Sequence, residues 1–175
     1  MILNKSSFKT KIGILYYLWM DSGKGQKVVS ISTSSGSIEN YIKKISTSRK
    51  SLDNISVNEK KFPILERKIS GYLQGNLKDI GLEPTFLIGS EFEKKVWKAA
   101  SKVPFGKTSS YREIAEICGR PQAYRAVGNA MGKNPVLILV PCHRIIKSNG
   151  CLGGFSAGPN LKKRLLELEG ISYTT

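Results

Sequence analysis

Residue types that build common cofactor sites are scarce in this chain of 175 residues. His143 is the one histidine, and the three cysteines, at positions 118, 142 and 151, form no Cys-x-x-Cys pair. Structural zinc sites need four cysteine or histidine ligands in close pairs, so the sequence predicts no metal site. No glycine-rich phosphate loop follows a strand pattern, so we expect no nucleotide cofactor either.

Acidic residues and long apolar runs are also scarce. Asp and Glu number 13 against 28 Lys and Arg, which gives a formal net charge of +15. A basic balance of this size favours a polyanionic partner, most often nucleic acid. No apolar run approaches the ~20 residues that cross a bilayer, so we expect no membrane partner. An odd number of cysteines suits a reducing compartment and predicts a cytoplasmic or nucleoid-associated protein.

The first part of the chain predicts a β-hairpin. Residues 8–33 contain two strand patterns around a turn at 22–25. The apolar segment 12–20 follows three lysines and resembles a secretory signal. The turn and the second strand pattern that come next favour the hairpin, and we therefore expect a protein that is not secreted.

Helical patterns follow the hairpin. Apolar residues recur every three or four positions over 37–45 and 59–73, while 46–58 is polar and is expected to form a loop. Glycine and proline at 81–84 then interrupt the chain, and no catalytic constellation occurs before them. We therefore predict an N-terminal α/β support domain over residues 1–82, with a small antiparallel sheet and helices.

Capping boxes mark two helix starts in the second half of the chain. Ser90 is followed three residues later by Glu93, and Ser110 by Glu113, so that side chain and backbone groups can satisfy each other at each helix start. The apolar residues expected to face the core are Phe92, Val96, Trp97 and Ala100 in the first helix and Ile114 and Ile117 in the second.

A turn at 119–121, Gly-Arg-Pro, joins the second of these helices to a third at 122–131. Two short helices joined by a turn with glycine are typical of a helix-turn-helix, although an ordinary helical hairpin has the same pattern. We therefore predict a mainly α C-terminal domain over residues 83–175 with a helix-turn-helix of winged-helix-like type.

The third helix is unusual for a helix that reads DNA sequence. Arg125 is its one long basic residue, and small residues that include Ala126 and Gly128 surround it. Base readout in the major groove needs several long polar side chains on one face. Small residues instead allow the backbone to approach the minor groove, with Arg125 inserted into the base stack. Such a protein is suited to base flipping with little sequence preference.

The apolar run 136–140 leads into Pro141, Cys142, His143 and Arg144. The run predicts a short buried strand that ends at the proline, which would hold the cysteine rigidly at the edge of the core. With an imidazole and a guanidinium beside it, Cys142 is expected to be a reactive thiolate. The alternative is a buried structural cysteine beside a surface histidine. A glycine loop at 151–156 is expected to give close backbone approach to a ligand.

These motifs resemble the O6-alkylguanine-DNA alkyltransferases, also called methylated-DNA–protein-cysteine methyltransferases. The resemblance covers about residues 85–170, and its most specific part is Pro-Cys-His-Arg at 141–144 with Arg-Ala-Val-Gly at 125–128. Further matching segments are Phe92 with Val96–Trp97, Pro104–Gly106 through Tyr111, Asn134–Pro135, Gly153–Ser156 and Leu166–Gly170.

The resemblance implies a role for each matching residue. Cys142 would take the alkyl group from guanine O6, His143 would act as its base through a water molecule, and Glu169 would orient the histidine. Tyr111 would share a proton with the departing guanine, and Arg125 would fill the gap in the stack. The residues implied in contacts to DNA, to the extruded base or to the active-site turn are Ala126, Gly128, Asn134, Arg144, Phe155 and Ser156.

The implied function is repair of double-stranded DNA that contains O6-alkylguanine. Because an alkyl cysteine is a stable thioether, each molecule would act once. We also expect the protein to be a monomer and to need no cofactor. Two other functions fit parts of the pattern. One is a non-enzymatic helix-turn-helix regulator, in which Cys142 would be only a core residue. The other is a thiol hydrolase, which would turn over repeatedly but in which the helix pair would have no function.

Overall fold

A computed structural model describes residues 1–23, 25–48 and 55–174. The chain divides into two compact units, Met1–Ile88 and Gly89–Thr175. The sequence-based boundary at residue 82 lies slightly before this division. The first unit is an α/β unit and the second is mainly helical, and no helix within the described residues has the length and apolar character needed to cross a bilayer.

The first unit contains a four-stranded sheet in the order β3-β2-β1-β4. Its strands are β1 (Ile2–Thr10), β2 (Gly13–Asp21), β3 (Gln26–Ser32) and β4 (Ser56–Glu59). Neighbouring strands are antiparallel except β1 and β4, which are parallel. The prediction of an antiparallel sheet is therefore corrected to a mixed sheet. β4 follows a helix rather than a hairpin turn, and such a crossover allows a parallel neighbour.

The predicted hairpin is confirmed as β2 and β3, and the apolar segment 12–20 lies almost entirely in β2. Its turn at 22–25 includes Lys24, which lies outside the described residues, although the amide of Ser22 donates to the carbonyl of Gly25 at 3.1 Å. β1 was missed because only Leu3 and Asn4 of its nine residues are buried, which leaves a weak alternation.

The helices of the first unit are α1 (Ser35–Ser48) and α2 (Pro63–Leu73). The predicted loop at 46–58 is wrong at both ends, since 46–48 belong to α1 and 56–58 to β4, and 49–54 lie outside the described residues. α2 begins at Pro63 rather than at residue 59, because proline fits the first helical turn and the preceding residues pair with β1.

Alternate residues of β2 lie on opposite faces of the sheet and pack in two different cores. Leu18 packs with residues of α1 in a buried cluster. Tyr17 and Trp19 point the other way, as the two-residue period of a strand requires. The hydroxyl of Tyr17 donates to Glu66 of α2 at 2.5 Å, and the Trp19 ring lies 5.1 Å from that of Phe62. The sheet is thus covered by one helix on each side.

The second unit contains α3 (Glu91–Ser101), α4 (Tyr111–Ile117), α5 (Tyr124–Gly132) and α6 (Pro159–Leu168). Two short parallel strands, β5 (Ser109–Ser110) and β6 (Ile145–Ile146), pair between them, and a 3-10 turn covers Cys142–Arg144.

Both predicted capping boxes are confirmed. Ser90 and Glu93 exchange side chain and backbone hydrogen bonds at the start of α3, and Ser110 and Glu113 do the same at the start of α4. The prediction that Ile117 faces the core is wrong, since 66% of its surface is exposed at the end of the short helix. α5 begins at Tyr124, two residues later than predicted.

Candidate active site around Cys142

The apolar segment 136–140 forms a buried turn and not the predicted strand. The amide of Val140 donates to the carbonyl of Val136 at 3.0 Å, and Ile138 adopts a φ of 73°. An apolar run without alternation shows that a segment is buried but does not define its backbone shape. Pro141 follows this buried turn, and Cys142 comes next as the first residue of the 3-10 turn.

Asn134 joins this turn to the thiol of Cys142. Its side-chain amide donates to the carbonyl of Val140 at 3.0 Å and to Sγ of Cys142 at 3.2 Å. Its side-chain oxygen accepts from the amide of Val136 at 2.9 Å. One side chain therefore holds both ends of the turn and places a hydrogen-bond donor against the sulfur.

Burial controls the protonation of Cys142. The side chain is only 4% exposed. Burial raises the pKa of the thiol, and the hydrogen bond from Asn134 and the positive charge of Lys162 only partly oppose this. The expectation of a resting thiolate beside Arg144 is therefore wrong: the resting group is a thiol that needs a base.

His143 follows Cys142 in the chain and contacts Glu169. It is fully buried, and its Nε2 lies 2.8 Å from Oε1 of Glu169. Burial lowers the pKa of the imidazole more strongly than Glu169 raises it, so the ring is neutral at pH 7. Because a carboxylate only accepts hydrogen bonds, Nε2 carries the proton and Nδ1 is the basic nitrogen.

Arg144 pairs with Glu169 in the interior. Nε and a terminal nitrogen of its guanidinium donate to the carboxylate at 2.8–3.1 Å, and the other terminal nitrogen donates to the carbonyl of Val103 at 2.6 Å. The amide of Gly106 also donates to Glu169, at 3.1 Å. Only 9% of the surface of Arg144 is exposed, and its guanidinium is bonded to groups inside the protein. The predicted contact of Arg144 with DNA is therefore corrected to a structural ion pair.

Lys162 is the site residue that sequence reasoning missed. It is fully buried, and Nζ donates to the carbonyls of Ile145, Leu152 and Gly154 at 2.6, 2.5 and 3.3 Å. These bonds connect α6, β6 and the glycine loop. Burial lowers the pKa of Lys162 to about 8, while negative charge on Cys142 favours the ammonium form. Lys162, rather than Arg144, is therefore the cation that acts on the thiol.

The leucine spacing of α6 explains why Lys162 was missed. In the sequence, Leu161, Leu165 and Leu168 are four and three residues apart and predict a core face for this helix. In the structure, Leu165 and Leu166 are the buried leucines. The three consecutive basic residues 162–164 are typical of a solvated face, and no local pattern distinguishes the buried first of them.

Tyr111 and the glycine loop are in direct contact. The Tyr111 hydroxyl donates to the carbonyl of Gly154 at 3.3 Å. A Cβ added at Gly153, whose φ is +69°, would lie 2.8 Å from that hydroxyl oxygen. A Cβ added at Gly128 of α5 would lie 3.9 Å from the Tyr111 ring. Burial, and then negative charge on Cys142, raise the pKa of Tyr111. Glycine at 153 is thus required by the approach of Tyr111.

The remaining predicted residues lie at the surface of the second unit. Arg125 and Ala126 are exposed on α5, and Gly128 is half-buried on the same helix. Phe155 is half-buried and Ser156 exposed in the glycine loop. The predicted residues therefore form a buried group around Cys142 and an outer group on α5 and the loop.

We expect Gly153→Ala to lower the thermal stability of the protein. The new methyl group would meet the Tyr111 hydroxyl at 2.8 Å on a backbone with positive φ, which together cost about 1–3 kcal/mol. Thermal melts followed by circular dichroism test this. Gly154→Ala is the matched control, since nothing lies within 4 Å of a Cβ there. Equal melting temperatures for the two variants would contradict the proposed contact.

We expect Lys162→Met to alter the pH dependence of stability. Lys162 has a pKa of about 8 in the folded protein and an ordinary value of 10.5 when unfolded. Between these values the unfolded chain holds the extra proton, so the free energy of unfolding rises with pH. Lys162→Met should remove this rise and also destabilise the loop at neutral pH. Urea unfolding at pH 7 to 10.5 measures both, with Lys163→Met as the control. A rise that persists in Lys162→Met would disprove the assignment.

Comparison with known proteins agrees with this geometry. Residues 91–171 match the family model described as 6-O-methylguanine DNA methyltransferase, DNA binding domain. The methylated-DNA–protein-cysteine methyltransferase of Methanosarcina barkeri is 45% identical over 114 residues, which cover 64% of this chain and 70% of the relative. That of Mycobacterium bovis is 47% identical over 102 residues, covering 58% and 61%.

Solved structures match over nearly the whole chain. Mycobacterium tuberculosis O6-methylguanine methyltransferase matches with a TM-score of 0.75 and 32% identity, covering 95% of this chain and 92% of that chain. Mycobacterium tuberculosis OGT in complex with DNA matches with a TM-score of 0.74 and 31% identity, covering 97% and 92%. The resemblance inferred from residues 141–144 is confirmed, and the chain belongs to the methylated-DNA–protein-cysteine methyltransferase family.

Proposed function

We propose that this protein repairs DNA by moving an alkyl group from O6 of guanine to Sγ of Cys142, once per molecule. The observation that carries the proposal is the buried contact between His143 and Glu169, which holds the proton on Nε2 and leaves Nδ1 as a base next to Cys142 in the chain. The family relationship supplies the substrate, since the relatives are named for methylated DNA and for a cysteine acceptor.

The transfer is a single displacement. The proton of the Cys142 thiol passes to Nδ1 of His143, through a water molecule, and the sulfur attacks the alkyl carbon. The bond between that carbon and O6 breaks, its electron pair stays with guanine, and the Tyr111 hydroxyl supplies a proton to the departing base. The ammonium of Lys162 and the Asn134 amide stabilise the negative sulfur. Because thiols do not cleave a thioether, the protein is used up.

We infer that the substrate is double-stranded DNA bound by α4 and α5. The two helices are joined by a short turn and are typical of a helix-turn-helix in a winged-helix-like domain. The small residues of α5, among them Ala126 and Gly128, allow the helix to approach the minor groove, and Arg125 fills the space left by the extruded guanine. A related protein has been crystallised in complex with DNA. The protein acts as a monomer in the cytoplasm or nucleoid.

We expect one alkyl group per protein molecule after incubation with a duplex that carries one O6-methylguanine. Intact mass spectrometry should show a single methyl addition, and peptide analysis should place it on the peptide containing Cys142. Cys118→Ser, which changes another thiol of the same unit, should react like the natural protein, and Cys142→Ser should not react. DNA binding without any mass increase would contradict alkyl transfer and leave the non-enzymatic regulator as the remaining function.

We expect the transfer rate to decline at acidic pH with a midpoint below 6.5. Burial lowers the pKa of His143 from its ordinary value of 6.5, so the imidazole is mostly neutral at pH 7. In His143→Gln the rate at pH 7 should fall by about 10²- to 10⁴-fold and then rise with pH as hydroxide ionises the thiol. Single-turnover rates across pH test both profiles. A midpoint at or above pH 6.5 would contradict a buried neutral histidine.

A further inference from the structure

Tyr124 is a large aromatic residue at the surface, directly before Arg125. It is the first residue of α5 and 36% of its surface is exposed, whereas Val127, Ala130 and Met131 of the same helix are buried. The core therefore does not account for the presence of this ring. Its position at the start of the helix that carries Arg125 points to a role outside the core.

Two guanidinium groups lie beside the Tyr124 ring. The guanidinium carbons of Arg112, on α4, and Arg125, on α5, are each 5.8 Å from the ring centroid. This is within the distance at which a cation is attracted to an aromatic ring. Both arginine side chains are exposed. One ring thus attracts a cation from each helix of the pair.

The arrangement reduces the freedom of two long side chains before any partner binds. A free arginine loses rotamer freedom when it is immobilised at an interface, and this loss weakens binding. A guanidinium stacked on a ring keeps its N–H donors at the edge of the group, where they can still contact phosphate. Contacts with one ring therefore bring Arg112 and Arg125 together on one shared surface.

We propose that Tyr124 is a positioning residue for alkyl transfer from duplex DNA. Its ring holds Arg125 ready for insertion into the base stack and holds Arg112 ready for a backbone phosphate, so that the two contacts form together. The inference rests on the proposed function, because it needs DNA as the substrate. It adds a residue that lies outside the Arg-Ala-Val-Gly segment at 125–128 and touches neither the alkyl group nor Cys142.

The test compares two substrates that differ in their need for DNA contacts. One is a duplex with a single O6-alkylguanine, and the other is the same O6-alkylguanine as a free base, which reaches Cys142 without base flipping. Tyr124→Ala should lower the second-order transfer rate on the duplex about tenfold, the order expected when two arginine side chains are immobilised on binding instead of before it. Its rate on the free base should equal that of the natural protein, because the buried site is unchanged.

Two further variants separate the ring from the rest of the side chain. Tyr124→Phe keeps the aromatic face and should retain the duplex rate within about twofold, whereas Tyr124→Leu, apolar but not aromatic, should behave like Tyr124→Ala. Tyr173→Leu is the control, since Tyr173 lies in the same unit and bonds to Glu167 instead. Combining Arg112→Met with Tyr124→Ala should cost less than the sum of the two single changes.

The outcomes distinguish this inference from the proposed function. No transfer by the natural protein from either substrate would overturn the proposed function itself. Transfer by the natural protein together with an unchanged duplex rate in Tyr124→Ala and Tyr124→Leu would overturn only the role of Tyr124. A loss of rate on the free base as large as that on the duplex would show a structural effect and would also overturn it.

Discussion

The second unit depends on one buried carboxylate. Glu169, at the end of α6, accepts hydrogen bonds from Arg144 and from the amide of Gly106, and it contacts His143. A buried carboxylate costs several kcal/mol unless a cation and further hydrogen bonds compensate for its lost hydration. Here the same partners that satisfy Glu169 join three segments that are distant in the sequence. The ion pair is therefore a structural junction as well as part of the reaction site.

Burial, with a smaller contribution from Arg144, keeps His143 neutral. A carboxylate paired with histidine alone would favour the imidazolium, which has no proton-accepting nitrogen. In this structure Glu169 also pairs with the guanidinium of Arg144, and burial, followed by the charge of Arg144, lowers the pKa of His143. The histidine remains neutral, and Glu169 serves it as a hydrogen-bond acceptor that holds one tautomer. The arginine thus affects the imidazole through its own charge and shares the carboxylate partner of the histidine.

A raised thiol pKa suits a protein that reacts once. An exposed thiolate would react with any electrophile, and each such event would consume a molecule. Burial keeps Cys142 in the thiol form, while His143, Asn134 and Lys162 can support the anion when the proton leaves. In the proposed reaction, transfer then depends on a base and a cation that are both fixed in the interior, and so on the folded site as a whole.

The sequence predicted features that short segments determine by themselves. A capping box needs only two residues three positions apart, so the starts of α3 and α4 were recognised. The segment 136–140 was recognised as buried, but its turn depends on hydrogen bonds with Asn134 that no local pattern reveals. Lys162 and Arg144 were misjudged for the same reason, since charged residues are usually solvated and their partners here come from other elements.

Tyr111 lies between α5, the helix proposed to bind DNA, and the loop of the proposed reaction site. Gly128 lies on the helix that carries Arg125, and a methyl group in its place would just reach the Tyr111 ring. The other side of that ring faces Gly153, and its hydroxyl and Lys162 share the carbonyl of Gly154. Close-packed interiors transmit small displacements. In the proposed complex, a shift of α5 against DNA would therefore be transmitted to Tyr111 and the loop.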